Sequence, residues 1–160
     1  MAIKGVVIGW FSEAVSAEDI QRFGIVVGEA KFQALLENLA LLIAVRLWSH
    51  LWVSERLAVC LRSDSSAALG AWTKERSTNA DINAIVREMS LDLAEGKYTV
   101  DRLEHLPGKL NEAADVLSRQ AQPSNSGAIP QFVLDARKYF PAVRDRDWWQ
   151  LAARPSQVIW

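Results

Sequence analysis

Residues 34 to 53, ALLENLALLIAVRLWSHLWV, constrain this chain more than any other stretch. Apolar side chains cover most of a helical circumference there, and a helix of that kind has to be deeply packed. A membrane span is excluded. Glu37, Arg46 and His50 interrupt the stretch, and its longest uncharged run is residues 38 to 45, well short of the ~20 apolar residues a bilayer crossing needs. The helical pattern extends over residues 29 to 52. Such a helix needs a layer to lie on, and a 160-residue chain that is 50% hydrophobic and 23% charged has enough apolar surface to build one. One domain with a tail is the expected organisation.

The layer is written on both sides of the helix. Residues 5 to 11, GVVIGWF, predict a strand entered through a turn at Lys4-Gly5. SAEDIQRF reads as a cap and a short helical turn. Residues 56 to 66, RLAVCLRSDSS, hold five consecutive apolar residues, the pattern of a central strand covered on both faces. Their serines offer cap chemistry for a helix through SAALGAW. STNADINAIVREMSLDLAEG, 77 to 96, opens on capping residues and closes on Gly96. KYTVDRLEHL, 97 to 106, predicts another strand, Pro107-Gly108 a turn, and LNEAADVLSRQ a helix. This alternation argues for an α/β layered domain over residues 1–120. AQPSNSGAIP, 121–130, has the composition of a linker. Residues 131–160 form a Trp-rich C-terminal tail that opens with a short helix in QFVLDARKYF.

Charge and cysteine content narrow the function. A net charge of −1 argues against a chain that lives on phosphate contacts, so any nucleic-acid binding has to be local, weak or helped by a neighbouring domain. The single cysteine, Cys60, permits no intrachain disulfide and no cysteine-built zinc site. It reads as a small core residue and fits intracellular residence. The N-terminal MAIKGVVIGWFSEAV lacks the features of a signal peptide.

Functional groups in α/β domains gather at the carboxyl ends of central strands, and Asp64 and His105 both fall at predicted strand ends. Asp64 is either a helix N-cap or, because Ser63, Ser65 and Ser66 can each cap, a carboxylate free for another role. Glu37 has Gln33, Ala34, Ala40 and Leu41 as helical neighbours. It is either an edge-of-core glutamate that reaches water or a basic partner, or a carboxylate held for function. Asp115 follows Asn111 at i+4 on one helix face; it either pairs with Arg119 on a solvated face or belongs to a site. Clustered carboxylates repel one another and persist where a cation neutralises them. Oxygen ligands suit Mg²⁺ or Mn²⁺, and two such ions can clamp the attacking and leaving oxygens of a phosphoryl transfer. A neighbouring histidine could move a proton.

QALLENLALLIAVRLW, VCLRSDSSAAL and EHLPGKLNEAADVLSR resemble the blocks of the ribonuclease H domain of retroelement reverse transcriptases. The last block is the most specific: a His-x-Pro-Gly-x-x-Asn-x-x-x-Asp-x-Leu-Ser-Arg pattern runs from His105 to Arg119. The resemblance covers about residues 3 to 120. It implies a ribonuclease H-like mixed sheet flanked by helices, and Mg²⁺-dependent hydrolysis of RNA in an RNA–DNA hybrid. It implies Glu37, Asp64 and Asp115 as metal ligands, His105 as a mobile catalytic histidine, and Asn111, Ser65 and Ser66 as substrate contacts. The family opens with a strand carrying a further metal-bridging aspartate, and no such segment is present. The chain is therefore expected to be N-terminally incomplete, or to have lost that ligand and with it activity. Either way another segment or a partner chain is expected to complete the sheet, or the sheet to rearrange.

The rival expectation is a domesticated, non-catalytic scaffold or assembly subunit of a larger complex. Trp148, Trp149 and Trp160 bear on it, because they either pack back on the domain or offer an interaction surface. A third reading is single-strand nucleic-acid binding through RKYFPAVRDRDWW, whose basic and aromatic residues are offset by Asp145 and Asp147.

Overall fold

The computed structural model describes residues 1–51, 58–120 and 127–153. Trp52, Arg56, Leu57, positions 121–126 of the expected linker and Trp160 lie outside them. Among the described residues the fold is mixed α/β, with three two-stranded sheets rather than one mixed sheet. None of the described helices is long and apolar enough to cross a membrane.

The N-terminus forms a hairpin. β1 (Ala2–Ile3) pairs antiparallel with β2 (Val6–Val7). Lys4 and Gly5 both take positive φ, 49° and 80°, as a two-residue turn matching the twist of its strands requires. The strand expected over 5 to 11 does not continue. The Ile8 and Gly9 N–H groups both donate to the Met1 carbonyl, at 3.0 and 3.4 Å, and β3 (Gly9–Trp10) then pairs elsewhere. α1 (Ala17–Phe23) is bounded by local signals. The Ser16 hydroxyl accepts the Asp19 N–H, and Gly24 ends the helix at φ 59°.

α2 (Gln33–Leu47) is shorter than the 29–52 pattern suggests. It is entered through a 3-10 turn at Ala30–Phe32, a common device at helix ends. Its ladder breaks at Trp48, which is buried between Phe11 and Tyr139, each ring 5.9 Å away; helical geometry resumes at 49–51. Leu35, Leu39 and Leu42 line its buried stripe with Ile43 and Val45. That stripe packs on α4 (Ala80–Ala94) and α3 (Ser66–Lys74), where Ile85 and Val86 are fully buried.

β4 (Ala58–Ser63) pairs parallel with β5 (Thr99–His105) through α3 and α4. Among the described residues only one face of β4 is covered. Val59 and Leu61 are buried, while Ala58, Cys60 and Arg62 are exposed. The expectation of a doubly covered strand is thus corrected, and so is that of a buried Cys60: side chains alternate along a strand, and the helices lie on the Val59 side. A 3-10 turn at Gly108–Leu110 leads to α5 (Glu112–Ser118), shorter than the expected LNEAADVLSRQ helix.

The C-terminal segment is built into the body. α6 (Gln131–Leu134) ends early because pairing takes over: β6 (Arg137–Lys138) runs parallel to β3. The Trp10 indole N–H donates to the Ala136 carbonyl at 3.2 Å, and the Tyr139 N–H donates to the Trp10 carbonyl at 2.8 Å. Gly9 is required there, since a Cβ would lie 2.7 Å from the Tyr139 ring. Beyond a 3-10 turn at Arg146–Trp148 comes α7 (Gln150–Ala153). Trp149 is 1% exposed, edge-on to Phe23 at 5.5 Å, so Trp148 and Trp149 pack back on the domain.

Two buried guanidinium groups fasten this segment. Arg46 donates to Asp92 at 2.6 Å, to Glu88 at 2.7 Å and to the Trp148 carbonyl at 2.9 Å. Glu88 also accepts the Gln150 and Leu151 N–H groups, at 3.0 and 2.7 Å, at the start of α7. Arg144 clamps Asp19 through three contacts of 2.6 to 2.9 Å. Asp19, within the SAEDIQRF stretch, is therefore a buried anchor.

Candidate functional site

The carboxyl ends of β4 and β5 meet. Their register runs Arg62↔Glu104 and Ser63↔His105, and the Leu106 N–H donates to the Ser63 carbonyl at 2.9 Å. His105 Nε2 consequently lies 3.2 Å from the Asp64 carbonyl oxygen. One residue back along each strand, Arg62 donates to Glu104 at 2.8 Å. That exposed guanidinium holds the Glu104 carboxyl below the usual carboxylate range.

The capping question at Asp64 is resolved by its neighbour. Ser65 is the N-cap of α3, its hydroxyl accepting the Ala68 N–H at 3.2 Å. The Ser63 hydroxyl accepts the Ser65 N–H at 3.1 Å. Asp64 is exposed, and its carboxylate makes no hydrogen bond or ion pair among the described residues. Ser66 opens α3 and is exposed.

The other candidates have local partners. The exposed Asp115 carboxylate is 2.8 Å from Arg119, the solvated i,i+4 pairing that the sequence allowed. Asn111 precedes α5, with its side chain making no cap bond; its carbonyl accepts the Asp115 N–H at 3.0 Å. Glu37 is half-buried and accepts from Gln33 Nε2 at 3.2 Å. The structure thus brings together Asp64 and His105. Among the described residues no three His, Cys, Asp or Glu side chains group closely enough to hold a metal ion. Glu37, Asp64 and Asp115, as placed, do not meet the oxygen-rich ligand set that Mg²⁺ demands.

A second feature was marked in sequence by a basic-aromatic run alone. A cleft of about 230 Å³ opens between the end of β3, the chain just after α5 and β6, lined by Trp10, Ser12, Gln120 and Lys138 among others. The Ser12 hydroxyl donates to the Leu117 carbonyl at 2.6 Å and holds α5 against this wall. Glu13, also on the wall, has the Arg144 guanidinium at 2.6 Å; burial nonetheless pushes its carboxyl upward. The signal available in sequence was the basic-aromatic run RKYF.

Compared with known proteins, the chain matches no family model, no curated protein and no solved structure.

Proposed function

We propose that the chain is a ribonuclease H-like domain of retroelement origin, whose ancestral reaction class is Mg²⁺-dependent hydrolysis of RNA in an RNA–DNA hybrid. The observation that carries this reading is the parallel pairing of β4 and β5 in the register Ser63↔His105. It sets Asp64 and His105 side by side at adjacent strand ends, where α/β domains keep their reactive groups. In this reading Glu37, Asp64 and Asp115 are the residues assigned to Mg²⁺ or Mn²⁺, which they would hold only on drawing closer together than they stand here. His105 handles a proton, and Asn111, Ser65 and Ser66 meet the substrate. The 2′-hydroxyl is the feature that tells the RNA strand from DNA.

A second reading is a non-catalytic scaffold or assembly subunit using the same fold. The Asp115–Arg119 pair favours it, as does the lack of a three-member ligand group among the described residues. One assay separates the two. Wild type and Asp64→Asn are incubated with a labelled RNA–DNA hybrid and Mg²⁺. Under the hydrolase reading, wild type cleaves and the variant loses ~100-fold or more, since metal-held charge is worth several kcal/mol in the transition state. Absence of metal-dependent cleavage by wild type, or cleavage indifferent to Asp64→Asn, leaves the scaffold reading.

A further inference from the structure

β6 presents alternate side chains to opposite faces, as strands do. Arg137 and Tyr139 share one face, with the guanidinium 5.0 Å from the ring centroid. The Tyr139 ring turns inward onto Trp48. Lys138 and Phe140 share the other. There the Lys138 ammonium lies between two rings, 5.1 Å from Trp10 and 5.4 Å from Phe140. Phe140 is 77% exposed, the highest value among the large hydrophobic side chains left in solvent.

The charge on this face is that of Lys138, which among the described residues forms no ion pair. Glu13, the carboxylate on the adjoining cleft wall, pairs instead with Arg144, whose guanidinium it shares with Asp19. An exposed ring beside a free cation, next to an open cleft, matches the base-and-phosphate repeat of a nucleic-acid strand. Aromatic faces stack bases while neighbouring cations track the backbone. A protein-docking core fits less well, because such cores are depleted in lysine.

We propose that Lys138 and Phe140 form a contact surface for single-stranded nucleic acid, with the buried Trp10 ring backing the Lys138 ammonium. A base stacks on Phe140, and the adjacent phosphate takes the Lys138 ammonium at the mouth of the cleft. The surface does not depend on the chemistry at Asp64.

The test is fluorescence anisotropy with short labelled oligothymidylate and oligouridylate, in chelator, across a salt series. Lys138→Gln and Phe140→Ala are expected to weaken binding about tenfold each. Lys138→Gln should also reduce the slope of log affinity against log salt by ~0.7, the share of one phosphate contact on a single strand. Val143→Ala, removing another exposed apolar side chain, is expected to bind as wild type. Unchanged binding in both the Lys138 and Phe140 variants overturns the proposal. So does duplex DNA binding as tightly as single strands in every variant. A third overturning result is Phe140→Ala converting a dimer to a monomer on sizing while oligonucleotide affinity holds. Because the readout is binding without divalent metal, the result is independent of the cleavage assay.

Discussion

A single buried hydroxyl gives the sharpest prediction at the scale of one residue. Tyr98 is 4% exposed, and among the described residues its hydroxyl, beside the Asp92 carboxylate, makes no well-formed hydrogen bond. Burial, reinforced by the Asp92 carboxylate, pushes its phenol well above the ordinary value of 10.0. The folded chain therefore keeps Tyr98 protonated at pH values where the unfolded chain ionises it. Stability from this group is fully present below about pH 10 and declines above it, by about 1.4 kcal/mol per pH unit. Tyr98→Phe removes the orphan hydroxyl and this alkaline loss together. It is expected to raise stability by about 1 kcal/mol at neutral pH and to flatten the urea-derived stability curve above about pH 10. A variant as alkali-sensitive as wild type would contradict the assignment.

At the scale of elements, the decisive contact is Arg46 on α2 with Glu88 and Asp92 on α4. Both carboxylates are fully buried, and removing one partner of such a set strands the remaining charges. Arg46→Leu is expected to lower unfolding stability by about 3–5 kcal/mol in chemical denaturation, more than an ordinary surface change. The helices were legible in sequence because their signals are local. Asn79 caps α4 through the Asp81 and Ile82 N–H groups, and Ser65 and Gly24 lie beside the ends they set. Asp64 and His105 were legible as strand ends for the same reason, since β4 carries an apolar run and Pro107-Gly108 marks where β5 stops. β6 was not, because a two-residue strand has no periodicity to read and its partner lies at the other end of the chain. The anchoring role of Asp19 was not legible either: its partner is Arg144, and nothing near Asp19 announces it.

For the whole molecule, composition suggested a body over 1–120 and a separate tail, whereas the core runs through both. Trp149 fills the space beside Phe23, and the start of α7 supplies N–H partners to Glu88. A chain ending at residue 130 is expected to lose its cooperative thermal transition and to bind an apolar dye. Loss of Trp149 alone costs about 3–5 kcal/mol by the usual measure of large core truncations. A sharp, dye-silent transition in the truncated chain would count against this. The parallel pairing of Gly9 with Arg137 and Trp10 with Lys138 also sets an order in time. Contacts between residues so far apart in sequence form late, after a long loop has been closed. On a ribosome, where the N-terminus emerges first, β3 waits for nearly the whole described chain to be made before its partner exists. A nascent chain would therefore carry its β3 edge and Trp10 uncovered for most of synthesis, and arrest-peptide force measurements should register the final folding step only once Lys138 has cleared the exit tunnel.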